Sequence, residues 1–355
     1  MFNATALHQY LRQHPHYLSH FLKDILRVWW WRLYRQHIVV LTTESGGLGD
    51  YLWFRSYYSA IREHYAPAKC RIIVIGMRQW EPLAIGMDSS FKSNHFDLYR
   101  SFESPDNPLR IESLFFKLFR TDVYVDFRAR HLQDLVNAKK CYFGKGFREA
   151  KQYYETANNN VINQWFSLPN NFKHKPAILQ IADKERYLAL EKPYVVMVEG
   201  GNTQGKLSDE QTLSIIKEIL YQGYDIFFNG DYKHLKNTLF EQNFGNETSR
   251  IIDGYTYPLA EYPYVVAQCQ YVVTVNTFIY HLAIQLEKPC IVLSANEYES
   301  IKLDASNQII LFNSKMQQAL ENQSLDSYKP ISNTGLQNIE CKRIVEAINT
   351  LNHKL

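Results

Sequence analysis

The strongest constraint in this sequence is an alternation that runs twice along its 355 residues. In the first half, "HIVVLTT" reads as a strand and "DYLWFRSYYSAIREHY" as a helix. "CRIIVIG" is again a strand, "NPLRIESLFFKLF" a helix and "DVYVDF" a strand. Short β-branched runs alternating with longer helical ones are the mark of parallel βαβ units. The charged stretch "DKERYLALEK", just before Pro193, interrupts the series. It then restarts as strand "PYVVMVEGG", helix "SDEQTLSIIKEILYQG", strand "YDIFFNG" and helix "YKHLKNTLFEQNF". The short strand "RIIDG", helix "YPLAEYPYVVAQC", strand "QYVVTVN", helix "TFIYHLAIQLE" and strand "PCIVLSA" follow. The pattern predicts two α/β domains, each a doubly wound layer, over 1–187 and 188–335, with a closing helix in 336–355. A chain of this length exceeds one ordinary core, which agrees with two.

Hydrophobic residues make up 46% and charged residues 21%, so the chain is globular and not disordered. The net charge of +3 is dispersed, which argues against a nucleic-acid partner. The five cysteines (Cys70, Cys141, Cys269, Cys290, Cys341) are odd in number and form no CxxC pair. That disfavours a disulfide framework and a structural zinc site, and fits a reducing, cytoplasmic setting. No run of 18 apolar residues suggests a membrane span, and the start lacks the pattern of a secretory signal. Residues 1–36 form an N-terminal amphipathic extension. Within it, Leu18, Phe21, Leu22, Ile25, Leu26, Trp29 and Trp30 fall at helical spacing, with Arg27, Arg32 and Arg35 close by. Two readings are open for 18–36: a peripheral contact with the inner face of a membrane, or packing on its own domain.

In doubly wound sheets, ligands bind beyond the carboxyl ends of the strands. Three strand-to-helix turns occupy such positions: Ser45–Asp50, Gly200–Lys206 and Asn276–His281. They would share one cleft if the two halves face each other. The first, "ESGGLGDYLWF", lacks the third glycine of a dinucleotide fingerprint and the lysine of a Walker loop. What remains is a turn through Gly47 and Gly49 that delivers Asp50 to a helix start. Asp50 is either an N-cap or an ionised general base for a sugar hydroxyl. Tyr51, Trp53, Tyr57 and Tyr58 follow it, as acceptor-stacking rings or as core. In the second turn Gly200, Gly201 and Gly205 permit close backbone approach. Lys206 is a compact charge suited to a diphosphate, or an exposed lysine ahead of a helix. "SDEQ", from Ser208, reads as a structural helix cap. The third turn runs from a buried strand through Asn276 and Thr277 into a helix whose amino end is a ready anion site. His281, one turn in, is either a packing residue or a ligand contact.

Taken in this order and spacing, the three stretches resemble glycosyltransferase family 9, which includes the lipopolysaccharide heptosyltransferases. The residues that carry the likeness are Gly49-Asp50, Gly200 to Lys206, and Asn276-Thr277-Phe278-Ile279-Tyr280-His281-Leu282-Ala283 followed by Lys288-Pro289. The family has Asp where Asn276 stands and Gly where Phe278 stands. The resemblance implies a GT-B fold, with two facing Rossmann-like domains, and inverting sugar transfer without a metal or other cofactor. It assigns Asp50 as base, with Gly47, Gly49 and Tyr51 on the acceptor side. It assigns Gly200, Gly201, Asn202, Thr203, Lys206, Asn276, Thr277, Phe278 and His281 to the donor. The partners implied are a nucleotide-sugar donor and a glycan or glycolipid acceptor of a bacterial surface glycan. Two rivals stay open: a nucleotide-sugar epimerase on the same scaffold, and a degenerate, non-catalytic binding subunit, which Asn276 and Phe278 favour.

Overall fold

A computed structural model describes residues 15–42, 48–49, 51–52, 55, 70–77, 80–84, 98–102, 121–126, 138–143, 193–201, 205–294, 307–313 and 335–353. The chain divides into two compact units, Met1–Ser89 with Ser93–His174, and Ser90–Lys92 with Lys175–Leu355. The sequence pattern sets its boundary a little later, at 187/188. The expected helix "NPLRIESLFFKLF" and the segment 183–192 lie outside the described residues.

The first unit holds a five-stranded sheet made of β1 (His37–Thr42), β2 (Cys70–Met77), β3 (Leu98–Phe102), β4 (Thr121–Asp126) and β5 (Ala138–Phe143). Its order is β3-β2-β1-β4-β5, and every pair is parallel. The three strands expected from the sequence are the central ones, and β3 and β5 flank them. Ile38, Val39, Val40, Ile72, Ile73, Val74, Tyr124 and Val125 are buried, as central strands covered on both faces require.

Helix α1 (Pro15–Leu33) precedes this sheet. It ends where Arg35 takes the left-handed conformation (φ 52°), with the Arg35 amide donating to Arg32 O at 3.0 Å and the Gln36 amide to Trp31 O at 3.0 Å. Val28 and Trp31 are buried, and the Arg71 guanidinium lies 5.7 Å from the Trp31 ring centroid. Arg32 Nη1 donates to Asp122 Oδ2 at 2.9 Å. Asp122, buried at the start of β4, also accepts from the Ile38 amide at 2.9 Å and pairs with Lys139 Nζ at 2.6 Å. Burial alone would raise its carboxyl. The Lys139 and Ile38 hydrogen bonds and the Arg32 and His37 charges outweigh burial and hold it below the usual Asp range. A lowered folded-state pKa means stability present above the unfolded pKa and lost as pH falls through the folded one. Asp122→Asn is therefore expected to cost about 1–2 kcal/mol at pH 7. The difference in Tm from wild type should shrink below about pH 4, where the unfolded Asp protonates, which thermal melts at both pH values would check.

The second unit holds a six-stranded parallel sheet. Its strands are β6 (Tyr194–Val198), β9 (Asp225–Asn229), β10 (Ile251–Asp253), β11 (Val272–Val275), β12 (Cys290–Ser294) and β13 (Gln308–Phe312). Two-residue strands β7 (Gly200–Gly201) and β8 (Gly205–Lys206) form a separate antiparallel ribbon. The sheet order is β10-β9-β6-β11-β12-β13. In chain order this is 3-2-1-4-5-6, the doubly wound arrangement, with its reversal between β6 and β11. Strands β6, β11 and β12 are buried at every position. That accounts for their largely apolar sequences, in which Thr274 and Ser294 are the buried polar exceptions.

The longer described helices of this unit are α2 (Asp209–Tyr221), α3 (Tyr262–Gln268), α4 (Phe278–Gln285) and α5 (Cys341–Asn352). The expected cap of α2 is a full capping box. Ser208 Oγ accepts from the Gln211 amide, and Gln211 Oε1 accepts from the Ser208 amide. The Gln211 side-chain nitrogen also donates to Leu336 O and Ile339 O. Ile344, Ala347, Ile348 and Leu351 form one buried stripe on α5 and join the core of this unit. The closing helix is thus part of the second domain's core. Between β9 and β10, a π-helical stretch (Lys236–Phe240) interrupts the expected single helix. Burial pushes the Cys269 and Cys290 thiols up to about 12, so both behave as packing residues. Among the described residues, no helix is long and apolar enough to cross a membrane.

Candidate functional site

The reversal of strand order in the second sheet is where such folds bind ligands. Two of the turns singled out in the sequence lie there, at the carboxyl ends of β6 and β11. The β6 backbone runs into Glu199, which is 2% exposed. The Glu199 amide donates to Asn229 O at 3.0 Å, and its carbonyl accepts from the Leu207 amide at 2.9 Å. The intervening chain folds back as the β7–β8 ribbon, with Gly200 opposite Lys206 and Gly201 opposite Gly205. This ribbon needs its glycines. A Cβ on Gly200 would stand 2.7 Å from Gly205 O and 2.9 Å from Lys206 Cα, both backbone atoms. Gly205 itself has φ 81°, a conformation that side chains other than glycine rarely adopt.

The ribbon delivers Lys206 to Glu199. Lys206 Nζ lies 2.9 Å from Glu199 Oε1, and the lysine side chain is 44% exposed. Glu199 Oε2 accepts from the Asp231 amide at 2.9 Å, tying the ribbon to the loop after β9. An ammonium has three N–H bonds, so this pairing leaves Lys206 with donors for an incoming anion.

The third turn meets the ribbon directly. A Cβ on Gly201 would stand 3.1 Å from Thr277 Cγ2 and 3.7 Å from Asn276 O. Thr277 is the N-cap residue of α4 in an extended conformation (φ −134°, ψ 178°), yet its side chain makes no capping hydrogen bond. Its hydroxyl instead lies 3.2 Å from Thr274 Oγ1. First-turn amides have no acceptor within their own helix, so the amino end of α4 offers donors and partial positive charge beside the Gly201 ribbon. Asn276 and Phe278 flank Thr277. The Phe278 ring packs on Tyr262, with centroids 5.4 Å apart, and so joins an aromatic group with Phe227 and Tyr257. His281 is buried one turn into α4, with its ring 5.0 Å from that of Tyr280.

Asn229 at the carboxyl end of β9 and Tyr262 at the start of α3 were not singled out in the sequence. Asn229 is buried, and Tyr262 donates its hydroxyl to Asn229 Oδ1 at 2.6 Å. Burial pushes the Tyr262 phenol up, so it stays a donor at any working pH. Among the described residues, Asn229 Nδ2 has no hydrogen-bond acceptor. A buried amide donor without an acceptor is costly unless something else completes it. Glu199 was legible in hindsight. It is a charge directly after the apolar run "YVVMV" and just before two glycines.

On the first unit, Leu48 and Gly49 are already helical ahead of Asp50, and Tyr51, Leu52 and Arg55 continue the helical conformation. Tyr51 is fully buried. Of the two readings of the aromatic stretch, Tyr51 therefore belongs to the core and does not present a ring to an acceptor. Gly47, Asp50, Asn202 and Thr203 lie outside the described residues, as do Trp53, Tyr57 and Tyr58.

No family model matches the sequence, and no curated protein matches it. Solved structures do match over most of the chain. A glycosyl transferase family 9 protein from Veillonella parvula aligns with a TM-score of 0.66 over 90% of this chain and 98% of its own, at 15% identity. The ADP-heptose LPS heptosyltransferase II of E. coli gives 0.62 over 90% and 99%, at 14% identity. The E. coli heptosyltransferase WaaC, solved with ADP-2-deoxy-2-fluoro heptose, gives 0.60 over 88% and 99%, at 12% identity. At such identities the likeness establishes the fold, and this chain has the GT-B fold of those structures.

Proposed function

We propose that this GT-B chain is an inverting glycosyltransferase that moves a sugar from a nucleoside diphosphate donor to a hydroxyl of a glycan or glycolipid acceptor in surface glycan synthesis, with lipopolysaccharide as the leading case. The observation that carries the reading is the meeting of the Lys206 ribbon with the amino end of α4, where Gly201 closes on Thr277 at the strand-order reversal. An ammonium and a helix amino end together stabilise a departing diphosphate. The nucleoside then lies toward the carboxyl end of β9, beside Asn229 and the Tyr262–Phe278 pair.

In the proposed reaction, Asp50 accepts the proton of the acceptor hydroxyl. The acceptor oxygen bonds to the anomeric carbon from the face opposite the diphosphate. The bond from that carbon to the diphosphate oxygen breaks, and its electron pair leaves with the nucleoside diphosphate. Charge on the leaving group is met by Lys206 and the α4 amides, so the reading requires no metal. It puts the enzyme in the cytoplasm, at the inner membrane face. Thermal shift against a panel of nucleoside diphosphates and their sugars is the direct test. At ligand near 100 times Kd, binding adds about 2.7 kcal/mol of stability and raises Tm. The best donor should then be consumed only when an acceptor is added, and equally well in EDTA. Consumption without acceptor would favour the epimerase reading. No Tm response across the panel would favour the non-catalytic subunit, the reading that Asn276 and Phe278 support.

A further inference from the structure

Helix α1 carries two apolar faces. Val28 and Trp31 are buried on one of them, and Arg32 on that side is held by Asp122. The side chains of the other face are exposed. Leu22 is 49% exposed, Leu26 63%, and Trp29, Trp30 and Leu33 56% each, with Tyr34 at 61% just beyond the helix. At α-helical spacing Leu22, Leu26, Trp29 and Leu33 share an arc of roughly 60°. Trp30 borders that arc, and its ring meets Tyr34 at 4.8 Å. Exposed Lys23 and Arg27 follow on the same border. Side chains of this size left open to water as one stripe mark a surface that something covers.

We propose that this stripe docks α1, lying flat, onto an anionic lipid surface. The chemistry favours lipid over a second copy of the chain. Tryptophan and tyrosine suit the water–hydrocarbon boundary, where one edge of the ring stays wet. Lys23 and Arg27 lie where headgroup phosphates would be, whereas pairing of two such stripes would set these cations against each other. Between Leu22 and Arg35 the only acid is Asp24, on the other side of the helix. An in-plane helix with an apolar face and basic borders binds by burying that face and by attraction to anionic lipid. Anchoring through Trp31, Arg32 and Asp122 fixes the first unit to the helix, so docking would hold this domain at the surface. The inference is independent of the transferase reading, because its readout is partition and not turnover.

The test uses the full chain and vesicles of phosphatidylcholine with or without phosphatidylglycerol. Sedimentation with the anionic vesicles, weakened by added salt, is expected. K23E/R27E and, separately, L26D/W29S/L33S should each lower the partition coefficient at least ~10-fold. All these side chains are exposed, so unchanged far-UV dichroism and Tm would confirm that the variants fold. W29F/W30F should keep binding and lose much of the blue shift in tryptophan emission seen on adding anionic vesicles. Failure to sediment with anionic vesicles, or binding undiminished in both sets of variants, overturns the proposal. So does a dimer in light scattering that L26D/W29S/L33S disperses, which would give the stripe to a second copy.

Discussion

Asp50→Asn is expected to lower turnover by ~10²–10⁴-fold, the usual contribution of a general base, while nucleoside diphosphate affinity stays at the wild-type value. Leu48 and Gly49 are helical ahead of Asp50, so the N-cap reading of Asp50 does not hold, and the substitution asks whether its carboxylate accepts a proton. Asparagine keeps the shape of aspartate, so a residue outside the chemistry would lose almost nothing on the change. A residue that must accept a proton would lose the reaction. The residues on either side, Gly49 and Tyr51, are helical, and the segment follows β1 at the carboxyl end of the first sheet. That is the end from which such sheets present their functional loops. Single-turnover measurements with saturating donor would report the chemical step alone. Turnover within a factor of a few of wild type would remove Asp50 from the mechanism.

The sequence and the structure agree most closely where the physics is local and strong. Strands β6, β9, β11 and β12 were legible because strands covered on both faces are mostly apolar, as "YVVMV" is throughout and "CIVLS" is up to its final serine. The α2 cap was legible because Ser208 and Gln211 stand three apart ahead of an amphipathic run. Edge strands were harder. Leu98–Phe102 and Ala138–Phe143 mix charged and apolar residues, since an edge packs on fewer neighbours, and neither stands out as a run. The site was half legible. Glycine spacing announced a turn over Gly200–Lys206 but not that it folds back as the β7–β8 ribbon, and Asn276-Thr277 announced the turn into α4. That Gly201 and Thr277 touch follows only from the sheet order, which no local pattern encodes. The contacts of Glu199 with Asp231, and of Tyr262 with Asn229, join residues far apart in sequence and could not be read from spacing. Phe278 illustrates the same limit. Its size is plain in the sequence, but only packing reveals that it turns onto Tyr262.

Lys206→Ala should do two separable things. Affinity for nucleoside diphosphate should fall by ~10–100-fold, the loss expected for one charge-assisted hydrogen bond. Stability should fall as well, because Glu199 is 2% exposed and Lys206 is the cation 2.9 Å from its Oε1. Stripping one partner from a fully buried ion pair costs about 3–5 kcal/mol. Here the loss is smaller, since Lys206 is half exposed and Glu199 Oε2 keeps the Asp231 amide. Adding Glu199→Gln to Lys206→Ala removes the stranded charge. The double variant should therefore recover most of the lost Tm and none of the lost affinity. Calorimetric titration beside thermal melts would resolve the two. If the single variant melts early yet binds nucleoside diphosphate as wild type does, Lys206 serves only to neutralise Glu199. The diphosphate site would then have to be sought elsewhere on the β6–β11 rim.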